Sequence, residues 1–194
     1  MHDLQDKGYW LDYGEDQEFE FINNIVKIYN IKRKVCINPD KKYNPTLSDL
    51  VIDVKGKKIF GDLKTVRTPF YTASRYGFDP NNCITFNEKD YFSYMQKYYF
   101  TEIIKNKKAI PDPFVLFFHV VWPESSNYGT LIDAKDGLWT TTIEDIHRLT
   151  IQEKTRWHEY KNRKNDDCGN CRVSMIISLS DLKKVRKREE LKIK

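Results

Sequence analysis

Two short apolar stretches on either side of a glycine constrain the fold of this chain more than any other feature. Residues 50–52 are apolar and largely β-branched, and residues 58–66 alternate polar and apolar side chains. Both patterns are typical of β-strands. Gly56 lies between them, where a tight turn needs a positive φ angle. The sequence therefore predicts a β-hairpin.

The predicted hairpin brings three charged side chains together at its open end. If the turn is centred on the glycine, Asp49 lies opposite Asp62 or Leu63 on the partner strand. Directly opposed residues of an antiparallel pair are about 4.5–5.5 Å apart. Asp62 and Lys64 are two residues apart, so they project from the same face of the strand. Asp53 lies beside the turn, roughly 13 Å along the strand, and is excluded from this cluster.

Two carboxylates and a lysine are the side chains that metal-assisted cleavage of a phosphodiester requires. Mg²⁺ is typically held by one or two carboxylates together with water and substrate phosphate. The metal ion activates water and stabilises the charge that develops on phosphorus. We expect Lys64 to stabilise that charge, or to orient and deprotonate the attacking water. The alternative interpretation is an exposed hairpin with ordinary surface charges.

This arrangement resembles the motif of the PD-(D/E)xK nuclease superfamily, which has the restriction-endonuclease-like fold. Asp49 matches the first acid, Asp62 the second acid and Lys64 the lysine. Two features depart from the pattern: Pro45 lies four residues before Asp49 instead of beside it, and the middle acid is aspartate instead of glutamate. The resemblance covers about residues 14–121.

The resemblance implies the fold class and the metal ligands. It implies an α/β fold in which helices flank a mixed central β-sheet, with the motif on two adjoining strands. It also implies that Asp49, Asp62 and the backbone carbonyl of Leu63 bind the metal, joined by a glutamate of the first helix. Glu18 is the best match for this glutamate.

The first helix is predicted from its apolar spacing. Residues 15–29 carry apolar side chains at helical intervals, and this spacing places Phe19 on the core face with Glu18 beside the apolar stripe. Glu15 and Glu20 remain alternatives to Glu18 as the residue that faces the metal.

The rest of the chain predicts further elements of an α/β fold. We expect a single domain of residues 1–194. Residues 122–194 are expected to complete the core and to add DNA contacts. Strands are predicted at residues 32–38, 84–86, 114–121, 129–134 and 172–178. Helices are predicted at residues 87–105 with Asn87 as N-cap, at residues 142–149, and from Ser180 to the end.

Two segments are candidates for contact with DNA. The loop at residues 67–77 follows the motif strand, and residues 154–164 are strongly basic; the alternatives are a packed surface loop and a solvated helix face. Arginine binds phosphates and guanine edges, and the net charge of +5 is compatible with nucleic acid. The residues that we single out are Arg67, Thr68, Arg75, Lys154, Arg156 and Lys161.

The cysteines raise the question of a second metal. Cys168 and Cys171 have the spacing of a zinc knuckle, with His158 ten residues upstream, but the sequence has no second pair of this kind. Cys36 and Cys83 lie in strand-like contexts and are predicted to be core thiols. The expected cofactor is therefore Mg²⁺, with Mn²⁺ as a substitute, and structural Zn²⁺ is the less favoured choice.

These residues lead to one functional prediction, a Mg²⁺-dependent DNA endonuclease. The resemblance implies products with 5′-phosphate and 3′-hydroxyl ends. A restriction-type enzyme that acts as a homodimer on double-stranded DNA is the first choice. A Holliday-junction resolvase, another phage or plasmid nuclease, and a non-catalytic DNA-binding module of the same fold are the alternatives, and the choice between DNA and RNA stays open.

Other functional classes lack their motifs in this sequence. There is no Gly-x-Ser-x-Gly, no phosphate-binding glycine loop and no dinucleotide fingerprint. The longest apolar run, residues 114–122, is too short to span a membrane. The first residues do not have the charged and then apolar pattern of a signal peptide. We therefore expect no membrane contact and a cytoplasmic location.

Overall fold

A computed structural model describes residues 7–29, 31, 34–44, 46–104, 107, 111–127, 129–161 and 172–187. Pro45, Cys168 and Cys171 lie outside the described residues, so the predicted proline of the motif and the zinc knuckle remain predictions.

The strands of the described residues belong to three sheets. In chain order they are β1 (Lys34–Ile37), β2 (Leu50–Val54), β3 (Lys57–Val66), β4 (Cys83–Asn87), β5 (Val115–Trp122), β6 (Ser125–Asn127), β7 (Thr130–Ile132), β8 (Lys135–Thr142), β9 (Arg156–Glu159), β10 (Val173–Ser178) and β11 (Lys183–Val185). In the part of the chain that the structure describes, the central sheet has six strands in the order β1-β2-β3-β5-β8-β11. Strands β3 and β5 are parallel and their other neighbours are antiparallel, so the sheet is mixed, as predicted.

Helices cover the central sheet, which confirms the α/β class. They are α1 (Lys7–Glu20), α2 (Val26–Ile28), α3 (Glu88–Tyr94), α4 (Thr101–Ile104) and α5 (Ile143–Ile151). One π-helical turn, Phe21–Ile25, joins α1 to α2, and another, Met95–Phe100, joins α3 to α4. None of the helices in the described ranges combines the length and the apolar character that crossing a lipid bilayer requires.

Strand β5 lies at the centre of the core, and both of its faces are buried. Val115 and Phe117 pack with the apolar side chains of the first helix and the hairpin. Leu116, Phe118 and Val120 point the other way and pack with α3, α5 and the second sheet. An apolar run without alternation is typical of a strand that is covered on both sides.

The first helix differs from its prediction in where it begins and in which face it buries. Its described part begins at Lys7, and Phe19 is 65% exposed, so the prediction of Phe19 as a core residue is wrong. Glu18, Phe21 and Ile25 are buried instead. Two neighbouring stripes of this helix are apolar. Packing selects the one that brings the ring of Phe21 to 5.2 Å from that of Phe117.

Two basic segments form strands: the chain after Ser180, which was predicted to be helical, and part of residues 154–164, for which a solvated helix face was the alternative to a DNA contact. Residues 156–159 form β9, which pairs with β10 in a three-stranded sheet of order β4-β10-β9. The chain after Ser180 completes a 3₁₀ turn and then pairs with β8 as β11, so the predicted terminal helix is wrong for the described residues. Backbone hydrogen bonds to β8, which is distant in sequence, outweigh the local helical preference after Ser180.

Two local predictions have mixed outcomes. Cys83 is buried, as predicted, but Cys36 points to solvent from the edge strand β1 and is not a core thiol. Asn87 directly precedes α3, as predicted, but its side chain makes no capping hydrogen bond. Its Oδ1 accepts a hydrogen bond from the Ser174 hydroxyl at 3.3 Å instead.

Candidate active site

The hairpin has the predicted register. Leu50 pairs with Gly61, and one step further this register places Asp49 opposite Asp62. The Leu63 N–H lies 3.4 Å from Asp49 Oδ2, so the Asp49 side chain reaches across to the partner strand. Asp49 and Asp62 therefore meet at the open end of the hairpin.

The hairpin turn forms where the glycine predicted it. Lys55 and Gly56 have φ angles of 56° and 85°, and two successive positive φ angles are the mark of a type I′ turn. Asp53 Oδ1 accepts a hydrogen bond from the Gly56 N–H at 2.8 Å. Asp53 is therefore a turn residue, which agrees with its exclusion from the predicted cluster.

Asp62 and Lys64 share one face of β3, and that face is covered by α3. Asp62 is only 2% exposed. The ammonium of Lys64 lies 2.7 Å from Asp62 Oδ2 and 2.9 Å from Asp90 Oδ2. Leu63, between them, points to the opposite face and packs with the core beneath the first helix. The period of two in a strand thus separates the charged side chains from the apolar one.

The turn after β1 fixes the segment that carries Asp49. The Asn38 N–H donates a hydrogen bond to the Asp49 carbonyl at 2.8 Å, and its side-chain amide donates to the Ser48 carbonyl at 3.0 Å. Asn38 and Ser48 are both buried. Since a buried carbonyl without a partner is costly, these bonds hold Asp49 in place at the start of β2.

Lys41 links the first helix to the hairpin. Its ammonium lies 2.5 Å from Glu18 Oε1 and 2.5 Å from Asp49 Oδ1. Glu18 is buried, whereas Glu15 and Glu20 are exposed. Of the three glutamates considered from the sequence, Glu18 is therefore the one that the helix directs at the cluster.

Burial and close neighbours shift the proton affinities in this cluster. Burial raises the pKa of Asp62 to about 7; Lys64 opposes this shift and Asp49 adds to it. Burial also raises the pKa of Glu18, against the influence of Lys41. Burial by itself lowers the pKa of Lys41 and of Lys64, but their carboxylate partners outweigh it and raise both. The cluster thus favours bound positive charge.

Three residues of the cluster were not found from the sequence: Lys41, Asp90 and Tyr94. Asp90 and Tyr94 are four residues apart on α3, which places them on one side of the helix. The Lys64 ammonium lies 5.8 Å from the centre of the Tyr94 ring, and burial, followed by the charge of Asp62, raises the pKa of the Tyr94 hydroxyl. The spacing of Asp90 and Tyr94 points to contact with Lys64 only when α3 is known to cover β3, and the sequence does not show that packing.

The loop at residues 67–77 leaves the sheet beyond the motif strand, as predicted. It contains the 3₁₀ turn Tyr71–Tyr76, and Arg67, Thr68 and Arg75 are all exposed. The guanidinium of Arg67 lies 5.0 Å from the centre of the Tyr13 ring, within cation–π range. Arg67 is therefore held against the first helix, whereas Arg75 projects to solvent.

The basic residues of the second candidate segment are also exposed. Lys154 lies 3.9 Å from the Asp181 carboxylate. Arg156 donates hydrogen bonds to the carbonyls of Glu153 at 2.6 Å and Thr155 at 2.8 Å. Lys161 is exposed at the end of the described stretch. Like Arg67 and Arg75, these side chains lie outside the acid–lysine cluster.

The carboxylate oxygens of the cluster suit a hard divalent cation, but in the present arrangement the ammonium groups of Lys41 and Lys64 contact these oxygens. Glu18, Asp49 and Asp62 supply carboxylate oxygens, which Mg²⁺ and Mn²⁺ prefer. Within the described ranges, no set of three or more His, Cys, Asp or Glu side chains is grouped so that it could hold a metal ion. A metal ion at these acids therefore requires side-chain movement, above all of Lys41.

Comparisons with known proteins give little further guidance. Protein-family models yield no match, and a search of curated proteins yields none. Among solved structures, a nuclease from a fusselovirus is 15% identical over 100% of this chain and 94% of that chain, with a TM-score of 0.42. So low a TM-score supports no argument about fold or activity.

Proposed function

We propose that this protein is a metal-dependent nuclease that hydrolyses phosphodiester bonds in DNA. The observation that carries the proposal is the meeting of Asp49, Asp62 and Lys64 at the open end of one hairpin, with Glu18 directed at them from the first helix. Buried carboxylates whose pKa values are raised beside a charged partner mark a candidate functional site.

The metal ligands in this proposal are Asp49, Asp62, the carbonyl of Leu63, and Glu18. Mg²⁺ is the proposed cofactor, with Mn²⁺ as a substitute, because the donors are oxygens. When bound, the metal supplies an activated water and offsets the charge at phosphorus.

Lys64 is the residue that we propose to act on the attacking water. Its ammonium lies 2.7 Å from Asp62 Oδ2. In this position it can orient that water and stabilise the negative charge of the transition state. Asp90 and Tyr94 hold Lys64 in this position from α3. The attack is in line, and the 3′ oxygen leaves with a proton, giving 5′-phosphate and 3′-hydroxyl ends.

Within this class we propose a restriction-type endonuclease that acts on double-stranded DNA as a homodimer. Cutting both strands of a symmetric site requires two active sites related by a two-fold axis. The exposed Arg67, Thr68 and Arg75, with Lys154, Arg156 and Lys161, are the proposed DNA contacts outside the site. A resolvase is the runner-up within this class, and another phage or plasmid nuclease is the further alternative.

The test is cleavage of supercoiled, linear and branched DNA in Mg²⁺, in Mn²⁺ and in EDTA. Asp62→Asn should abolish cleavage, because Asp62 belongs to the cluster. Asp53→Asn is the matched control: it removes the same charge from the same hairpin and keeps the oxygen that bonds to Gly56. It should cleave as the unmodified protein does.

Each outcome of this experiment points to one conclusion. Discrete metal-dependent bands would support the restriction-type enzyme, and a smear would support a nuclease without sequence specificity. Cleavage of branched DNA alone would support a resolvase. If Asp62→Asn cleaves as well as Asp53→Asn, the site is wrong. Binding of every DNA without cleavage in either metal would replace the enzyme with a non-catalytic binding module.

A further inference from the structure

We infer that Lys41 is an internal counter-ion of the site: its ammonium bridges Glu18 and Asp49 and offsets part of their charge in the metal-free protein, and it leaves that position when a divalent cation binds. This inference rests on the proposed function, because it supposes that the acids bind a metal. It adds a residue outside the motif that sets how tightly the metal is held.

The position of the ammonium between two carboxylates is the first observation. Lys41 Nζ is 2.5 Å from an oxygen of Glu18 and 2.5 Å from an oxygen of Asp49, so these two oxygens lie within about 5 Å of each other. The side chains of Glu18 and Asp49 are only 10% and 14% exposed. Burying two carboxylates so close together is costly unless a cation lies between them.

The other lysine of the site cannot provide that charge. Lys64 is paired with Asp62 and Asp90 on the face of β3 beneath α3. Lys41 comes from a different element, the 3₁₀ turn Pro39–Lys42 that follows β1. Lys41 therefore partly offsets the charges of Glu18 and Asp49, while Lys64 partly offsets those of Asp62 and Asp90.

The charges of the whole cluster leave room for more positive charge. Four carboxylates, those of Glu18, Asp49, Asp62 and Asp90, face the two ammonium groups of the lysines. A divalent cation binds through the same oxygens that Lys41 occupies, because Glu18 and Asp49 are two of the proposed ligands. Metal and ammonium must therefore compete for these oxygens. The side chain of Lys41 is 20% exposed and can turn toward solvent when it is displaced.

This competition predicts the effect of neutralising Lys41. Lys41→Met should bind Mn²⁺ more tightly than the unmodified protein, by on the order of tenfold, since one adjacent charge commonly shifts an ionic equilibrium by one or more log units. Lys42→Met is the matched control, because Lys42 is exposed on the same turn and its loss changes the net charge equally. Mn²⁺ binding is measured on the full chain by isothermal titration calorimetry and by the electron paramagnetic resonance signal of free Mn²⁺.

The outcomes separate this inference from the proposed function. Tighter Mn²⁺ binding by Lys41→Met than by Lys42→Met supports the counter-ion role. Equal or weaker binding by Lys41→Met overturns it and leaves the metal-dependent nuclease intact. If no form of the protein binds Mn²⁺, the metal-dependent function itself fails, and the inference fails with it.

A second measurement uses the unmodified protein and does not depend on the stability of any variant. An ammonium bonded to two carboxylates reacts slowly with amine-labelling reagents, because it must first leave its partners and lose a proton. Addition of Mg²⁺ should therefore increase the labelling of Lys41, measured by mass spectrometry of peptides, several-fold more than that of Lys42. Unchanged or decreased labelling of Lys41 at a Mg²⁺ concentration that saturates the site would overturn the inference.

Discussion

Asp62 is subject to two opposing influences, and their balance decides its charge. The residue is 2% exposed, and burial disfavours a carboxylate. The Lys64 ammonium at 2.7 Å favours the carboxylate, but Asp49 adds its own negative charge nearby. The effect of burial is larger than that of Lys64, and the pKa of Asp62 rises to about 7. In the metal-free site, protonated and ionised forms of Asp62 therefore coexist near neutral pH.

This shift predicts how stability depends on pH. The pKa of Asp62 is 3.8 in its ordinary state and about 7 in the folded protein, so the folded chain binds more protons than the unfolded chain between these values. The free energy of unfolding therefore falls as pH rises through this window, at up to about 1.4 kcal/mol per pH unit. Asp62→Asn cannot titrate. We subtract the unfolding free energy of the unmodified protein from that of Asp62→Asn. This difference should increase by a few kcal/mol between about pH 5 and about pH 8.

Urea denaturation in EDTA measures this difference, because EDTA removes metal ions that would shift the titration. Both proteins are unfolded at several pH values, and only the difference between them is interpreted. A difference that stays constant across the window would show that Asp62 titrates as an ordinary carboxylate.

Lys64 is expected to matter for cleavage more than for metal binding. Its ammonium contacts Asp62 and Asp90, and in the proposed mechanism it stabilises the negative charge of the transition state. Lys64→Met should lower single-turnover DNA cleavage by on the order of 100-fold, with Mn²⁺ binding retained. Lys58→Met is the control, since Lys58 is exposed nearer the turn on the same face of β3. Equal cleavage by the two variants would remove Lys64 from the mechanism.

At the level of elements, the site depends on how closely β3 approaches β5. A Cβ atom at Gly61 would lie 2.7 Å from the carbonyl oxygen of Val115 and 3.1 Å from Cδ1 of Ile52. The backbone oxygen cannot move aside without separating the parallel pair, so this position requires glycine. Asp62 is the next residue, and it moves with any shift of the strand.

Gly61→Ala should therefore lower the free energy of unfolding by about 1–3 kcal/mol, as expected for overpacking, and should lower cleavage as well. Gly14→Ala is the comparison, because nothing lies within 4 Å of a Cβ at Gly14 in α1. Alanine is the better helix former, so Gly14→Ala should leave stability unchanged or raise it by up to about 1 kcal/mol. Urea denaturation of both variants measures these effects. Equal stabilities would show that β3 and β5 accommodate a methyl group.

The hairpin could be predicted from the sequence because the signals for it are local. Alternating side chains and a glycine at the turn fix the register, and the register places Asp49 opposite Asp62 without reference to the rest of the chain. Lys41 could not be found in this way. It reaches Glu18 over 23 residues and Asp49 over 8, and several lysines of the same region were equally plausible from the sequence.

The errors in the fold arise where contacts distant in sequence decide the structure. Strand β11 forms because Lys183–Val185 pairs with β8, and no local pattern distinguishes those residues from a basic helix. The π-helical turn Phe21–Ile25 continues a helix with two apolar stripes, so the buried stripe is chosen by Phe117 across the core and Phe19 is left exposed.

At the level of the whole molecule, the two segments predicted to bind DNA form one continuous surface. The Tyr76 hydroxyl is hydrogen-bonded to His158 Nδ1 at 2.8 Å, and the rings of Phe70 and His158 are 4.9 Å apart. These contacts join the loop at residues 67–77 to strand β9, which we call the loop–β9 surface. Arg75 and Arg156 are exposed on its two parts. The loop follows directly on β3, the strand that carries Asp62 and Lys64.

The salt dependence of DNA binding tests this surface. If Arg75 and Arg156 each contact a phosphate, the double variant Arg75→Gln/Arg156→Gln should reduce the slope of log affinity against log salt concentration by about 2. Anisotropy of a labelled duplex in EDTA, between about 50 and about 200 mM salt, measures the slope without cleavage. Lys34→Gln/Lys58→Gln removes the same charge at the turn end of the hairpin. That control should change the slope far less, because the turn lies at the opposite end of β3 from the loop. An equal loss in both double variants would mean that DNA responds only to net charge and that the loop–β9 surface is not its binding site.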